Sequence, residues 1–330
     1  METTRRHSWN LIIGALFSCF FLSQCASPPS SQATREDALR SLGYVPLPLD
    51  RVDSDVRFSH VFKINNARMR LLIDSGANST DIDGRLADQA GVDRLKSISV
   101  VSRGALGRAV TSGYGRGVMQ TGPIVVSNFP FTLAPGGGKP TATSLYAGQL
   151  GLDGLDAMSA LIDVPRASMW VPGPDSYQGN TGKKVPLGPQ KNLGMKILEL
   201  RRAGRLPHLL LEGEVQGQRT TWVVDTGAEV SVMAAESFQN FGLPSRASNS
   251  RIIDASGDRI GIRMAVLQNV MFDGVLVKRF EIAVAPLGKV RDVFLDNQGR
   301  PVDGIIGMDF LQGGRALLDS ESRLLYLSDY

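Results

Sequence analysis

The chain carries the same sequence plan twice, and any fold it adopts must accommodate that repetition. Residues 61–92 lie on residues 212–243 without a gap, at an offset of 151. Arg68 meets Arg219, and Gly91 meets Gly242. Between them, Leu71-Leu72-Ile73-Asp74-Ser75-Gly76-Ala77 meets Trp222-Val223-Val224-Asp225-Thr226-Gly227-Ala228. A second ungapped match places residues 148–171 on 304–327, pairing Gly148 with Gly304, Gly151 with Gly307, Asp153 with Asp309, Leu155 with Leu311 and Asp163 with Asp319. A shorter echo opens each copy, Val45-Pro46-Leu47 and Val185-Pro186-Leu187. Each half therefore reads as an apolar strand entering an Asp-Ser/Thr-Gly turn, a variable middle, an apolar-Gly element and a final hairpin. Self-similarity in fixed order marks a duplicated structural unit. Duplication for architecture alone explains the repeat, but not why the acidic turn stands in both halves.

The local pattern is β-rich. Val61–Ile64 and Arg68–Ile73 flank the turn Asn65-Asn66, and Leu209–Val215 and Thr220–Val224 flank Gln216-Gly217. Apolar runs around such turn residues predict hairpins. Short helices are expected at Asp83–Ala90 and Ala234–Phe241. Each stops at a Gly that can take the left-handed conformation. The 36 Gly and 17 Pro supply further turns. Pro135–Pro140 and Pro172–Pro189 have loop or linker composition.

Other function classes find little support. The formal charge of +4 is small and the basic residues are scattered, so no nucleic-acid partner is implied. The only cysteines are Cys19 and Cys25, which leaves the body of the chain without a thiol nucleophile or a disulfide. His7, His60 and His208 are too scattered for a His-rich zinc site, and no nucleophile-elbow motif supports a Ser-His-Asp triad. Gly136-Gly137-Gly138-Lys139 lacks the upstream Gly of a phosphate loop, and Pro140 stands where Ser or Thr is required. No metal or cofactor is expected.

The N-terminus reads as a targeting segment. Arg5 and Arg6 precede the short apolar run Leu11–Leu22, well under the roughly twenty residues a spanning helix needs. The run ends in Leu22-Ser23-Gln24-Cys25. This resembles a bacterial lipoprotein signal, in which Cys25 becomes the lipidated first residue; Gln24 departs from the small residue usual before it. An ordinary cleaved signal and an uncleaved anchor are the alternatives, and all three export the protein. The expectation is a periplasmic protein held to a membrane through lipid on Cys25.

Two carboxyls about 3 Å apart cannot both ionise easily and share one proton. Such a pair can activate a water and polarise a carbonyl without metal or nucleophile. The Asp-Ser-Gly-Ala and Asp-Thr-Gly-Ala turns, each followed by an apolar-Gly element, resemble the two lobes of the retropepsin and pepsin clan. Gly304-Ile305-Ile306-Gly307-Met308-Asp309-Phe310-Leu311 is especially similar to bacterial retropepsin-like domains. Gly148-Gln149-Leu150-Gly151-Leu152-Asp153-Gly154-Leu155 is the weaker copy, with Gln149 at an expected apolar position.

The resemblance implies an aspartic endopeptidase with Asp74 and Asp225 as its catalytic pair. It implies that Ser75 and Thr226 interlock beneath them, and that Gly76 and Gly227 let backbone approach the carboxylates. It also implies hairpin flaps over a cleft, for which Ser102–Arg108 with Gly104 and Gly107, and Asp254–Ile260 with Gly257, are the candidates. Asp153 and Asp309 are expected to bind backbone rather than to act in catalysis. The expected fold is all-β: two retropepsin-like β-barrel lobes in pseudo-twofold arrangement, with short helices. The expected boundaries are a signal at 1–24, a linker at 25–43, an N-terminal lobe at 44–176, an interlobe linker at 177–190 and a C-terminal lobe at 191–330. The partner would be a polypeptide in extended conformation, and one chain would suffice for activity. The competing class is an inactive pair of lobes that holds peptide without cutting.

Overall fold

The computed structural model describes residues 31–52, 56–103, 109–135, 146–174, 195–202, 208–253, 259–288, 294–295 and 299–328. Two eight-stranded sheets form the lobes, and a six-stranded sheet joins them. Among the described residues the chain is mostly strand, with five short helices, and the two sheets are barrel-like. This is the duplicated all-β architecture that the repeat predicts.

Each lobe is built around the expected hairpin. In the first, Arg57–Ile64 pairs antiparallel with Ala67–Ile73, and Asn65 takes φ 48° at the turn. In the second, Leu209–Val215 pairs with Gln218–Val224, with Gln216 at φ 51° and Gly217 at φ 77°. A parallel strand then lies beside each hairpin: Gly148–Leu150 along Leu71–Ile73, and Gly304–Ile306 along Trp222–Val224. The conserved order of the two halves becomes a conserved register, because Leu72 faces Gln149 as Val223 faces Ile305.

The helices after the Asp turns run Gly84–Gln89 and Ala235–Gln239, shorter than the sequence spans. Gly91 at φ 68° and Gly242 at φ 59° follow each of them. Each lobe closes with a six-residue helix after its apolar-Gly element, Leu152–Ala157 and Met308–Gly313. Inside the second lobe Trp222, Phe272, Phe280 and Phe310 pack at tilted and edge-on angles, with centroids 5.2–6.1 Å apart. Such aromatic pairs add about 0.5–1.5 kcal/mol each beyond their buried area.

The six-stranded sheet fixes one lobe to the other. Leu161–Asp163 of the first half pairs antiparallel with Leu317–Asp319 of the second, and Tyr44–Pro48 and Lys196–Glu199 form its outer strands. The helix Ser31–Ser41, inside the stretch expected to be a linker, packs on this sheet. Leu39 joins Tyr44, Leu161, Trp170, Leu317 and Tyr326 in one apolar cluster. Arg35 on the same helix is 1% exposed. It donates to Asp163 Oδ1 at 3.0 Å in one half, and to Arg315 O and Ser328 Oγ in the other. Both terminal nitrogens of this buried guanidinium are therefore matched, and its charge is answered by Asp163, while its Nε finds no partner among the described residues.

Candidate active site

Asp74 and Asp225 each leave the end of a central strand whose last three residues, Leu71–Ile73 and Trp222–Val224, are buried. Each backbone N–H donates to the neighbouring parallel strand, Asp74 to Leu150 O at 3.0 Å and Asp225 to Ile306 O at 2.9 Å. The chain then turns back, with Ala77 N–H bonded to Asp74 O and Ala228 N–H to Asp225 O. Behind each turn a second carboxylate braces the loop. Asp153 accepts from Thr80 N–H and Oγ1–H, both at 2.7 Å, and from Gly154 N–H. Asp309 accepts from Ser231 N–H and Oγ–H and from Phe310 N–H. Both bind backbone and loop hydroxyls, as the paired positions imply.

The two turns meet face to face. A Cβ placed on Gly76 would overlap the Asp225 carboxyl, and one placed on Gly227 would stand 2.6 Å from Asp74 Cγ. Only glycine admits this approach. Asp74 Oδ1 accepts from Gly76 N–H at 2.9 Å and Ala77 N–H at 3.0 Å, and Asp225 Oδ1 accepts from Gly227 N–H at 2.7 Å. The two carboxyls also hydrogen-bond each other.

Burial is the largest influence on both and pushes both above the usual carboxylate range. The charge of Asp225 raises Asp74 further. The bonds from Gly227, Asp74, Ala228 and Gly76 pull Asp225 back down. The pair therefore titrates as a unit that retains one proton.

Beneath the carboxyls, Ser75 and Thr226 are fully buried and bonded across the lobe boundary. Two side chains that sequence reading passed over lie at the edge of this arrangement. Arg57 Nη1 donates to Gly227 O at 3.4 Å, and its Nε lies 3.5 Å from Glu229 Oε1. The repeat offset carries Arg57 onto His208 and Glu229 onto Asn78. His208 Nε2 lies 2.9 Å from Asn78 Nδ2. Each lobe thus grips the other lobe's Asp loop, once with a charged pair and once with a neutral one. Burial pushes the His208 imidazole down to about 4. Extending the offset four positions outward from Val61 and Glu212 is the signal that would have found both.

The flap expectation rests on two long hairpins. Asp93–Arg103 pairs with Ala109–Thr121 up to Arg103 opposite Ala109, and Ser245–Ile253 pairs with Arg259–Phe272 up to Ile253 opposite Arg259. The tips with Gly104, Gly107 and Gly257 lie outside the described residues, as does Cys25. Among the described residues no group of three His, Cys, Asp or Glu side chains is placed to hold a metal ion.

A duplicated β-fold with an Asp-Ser/Thr-Gly turn at the meeting point of its halves defines the aspartic protease class. The model of the aspartyl protease family matches residues 61–153 and 211–310. The chain belongs to that family. No curated protein matches it in sequence. Among solved structures, an aspartic proteinase from Irpex lacteus is 13% identical, with a TM-score of 0.51 over 87% of this chain and 97% of that one. Basic 7S globulin from soybean is 11% identical, with a TM-score of 0.49 over 87% of this chain and 95% of that one.

Proposed function

We propose that the chain is an aspartic endopeptidase whose Asp74 and Asp225 activate a water in a cleft between its two lobes. The observation that carries this reading is the buried pair itself. Two carboxyls facing each other across paired glycines are costly to a fold, and they are the groups that water-mediated peptide hydrolysis requires. The ionised member takes a proton from the water as its oxygen bonds to the scissile carbonyl carbon. The protonated member donates to the carbonyl oxygen. Collapse of the resulting diol breaks the C–N bond, and the amine leaves with a proton returned through the pair. Each proton transfer contributes roughly 10²–10⁴-fold. An extended peptide would bind by strand-like pairing under the hairpins.

The test is incubation of the mature protein with a diverse peptide library and sequencing of the cuts, beside an Asp225→Asn control. Cuts by the unsubstituted chain alone support the reading. Binding without cutting turns it to the inactive-lobe alternative. Because one chain carries both aspartates, activity per molecule should not change on dilution.

We also propose that the protein is exported and held at a membrane by lipid on Cys25, on the strength of the Arg5–Cys25 sequence pattern alone. One acyl chain binds only marginally, so stable anchoring needs more than one. Native protein should partition into detergent, and Cys25→Ala should release it. An unmodified N-terminus beyond residue 25 in the mass spectrum would refute the lipid.

A further inference from the structure

The two halves differ most at the strand pair beside the carboxyls. In the second half Val232 lies opposite Ile305, both buried. The repeat carries these positions onto Asp81 and Gln149, which lie opposite each other in the first half. One place in the pseudo-twofold is therefore apolar on one side of the Asp pair, and acidic and amide-bearing on the other.

Strand alternation says which way these side chains face. Ile82 and Leu150, the next residue on each strand, are fully buried in the lobe core together with Leu71 and Ile73. Asp81 and Gln149 lie on the opposite side of the sheet, with Leu72, which pairs with Gln149 and stands two residues before Asp74. The closeness to the site is electrostatic as well: the charge of Asp81 helps raise Asp74. In the second half the same side of the sheet carries Val223 and Val232 in an apolar cluster with Leu287 and Phe294.

An acid at this position has no structural necessity, since the duplicate fold manages with Val. Asp81 makes no ion pair among the described residues; the Gln149 N–H donates to it, and Asp153 adds like charge. Asp81 retains some solvent-accessible surface, while its carboxyl lies deep among protein atoms. Burial pushes that carboxyl up to about 7. A cation seated beside it would draw off the proton and supply the missing counter-charge.

We propose that Asp81 and Gln149 form a specificity subsite for a cationic side chain, Lys or Arg, of the bound peptide. The substrate class is then a polypeptide with a basic residue on the first-half side of the Asp pair. This rests on the reading of the chain as a peptide-binding protease, and the test separates the two.

Affinities of a position-scanned peptide set, with Lys exchanged for the near-isosteric norleucine, would be measured by calorimetry on full-length Asp225→Asn protein. The same set would then be measured with Asp81→Asn or Asp81→Val added, with folding checked by circular dichroism. At one position Lys should bind at least about tenfold more tightly than norleucine. Asp81→Asn should erase that preference, and Asp81→Val should invert it. Equal binding of the two peptides, or a Lys preference untouched by Asp81→Asn, overturns the subsite even if the unsubstituted enzyme cuts. An Asp81-dependent preference in a protein whose unsubstituted form cuts nothing upholds the subsite and refutes proteolysis.

Discussion

Ser75 and Thr226 hold each other from opposite lobes: each side-chain oxygen accepts the other's backbone N–H at 3.0 Å. Each hydroxyl then donates onward, Ser75 to Val224 O at 2.9 Å and Thr226 to Ile73 O at 3.0 Å. Val224 and Ile73 are the residues just before the two aspartates, so this closed set of bonds fixes the spacing of the carboxyls above it.

Removing one hydroxyl leaves a buried N–H and a buried carbonyl unpaired, at about 1–3 kcal/mol for each such group. Ser75→Ala and Thr226→Ala should each lower the urea midpoint and reduce kcat. Thr226→Ser keeps the hydroxyl and should restore both. A Thr226→Ala protein with unchanged stability would show that the lobes are positioned by other contacts.

The carboxyl pair predicts opposite effects on activity and stability. Asp74→Asn and Asp225→Asn should each abolish peptide cleavage, because the shared proton needs both groups. The folded chain holds a proton on Asp74 to higher pH than the unfolded chain, whose usual carboxylate value is 3.8. The stability from that proton is fully present below 3.8 and is lost as pH rises through the folded value. Asp74→Asn should therefore raise Tm relative to the unsubstituted protein near pH 7, but not near pH 3. Asp81, raised from 3.8 to about 7, adds a loss of the same sign across that window, and Asp81→Asn should flatten it. Thermal melts at several pH values read both.

The rate profile follows from what stands after each catalytic glycine. Ala77 and Ala228 occupy these positions and have no side-chain hydroxyl to stabilise the ionised pair. The proton should be held to higher pH, giving a bell centred in the mildly acidic to neutral range, roughly pH 5–7. Ala228→Thr should move the upper limb toward lower pH if the hydroxyl reaches the carboxylate. Greatest kcat/KM near roughly pH 2–3 would contradict this account.

Arg35 offers a test of the joining sheet. Arg35→Ala leaves Asp163, which has no exposed surface, with Arg166 at 3.2 Å as its remaining ion-pair partner. Breaking a buried pair outright costs about 3–5 kcal/mol, and Arg166 should hold the loss below that. The double variant Arg35→Met/Asp163→Leu, which removes both members of the buried pair and leaves Arg166 to Glu36, should recover part of that loss. Equal Tm for the single variant and the parent would place the latch elsewhere.

Much of this was legible in the chain. The hairpins, the turns at Asn65 and Gln216 and the Asp loops are local signals, and the duplication reports them twice. The joining sheet was not legible: Leu161–Asp163 and Leu317–Asp319 read as members of separate hairpins, and nothing local says that they pair with each other. Arg35 looks like any surface residue of a polar helix until Asp163 and Ser328 are brought to it. Arg57 and His208 were missed because they share a place but no residue type. Asp81 was missed because Asp-Ile-Asp reads as an ordinary half-exposed strand.

The joining sheet also imposes an order on biosynthesis. Arg35 is translated 293 positions before Ser328, which helps hold it. The strand that Leu161–Asp163 needs lies beyond both aspartates. A nascent chain stalled after residue 231 would contain every residue of both Asp loops, yet lack the later strands that set one lobe against the other. Domains ordinarily fold as they emerge from the ribosome. Here the first lobe's own sheet is complete once Leu150 has emerged, but the carboxyl pair gains its frame only near the completion of translation, when the last strands of the joining sheet arrive.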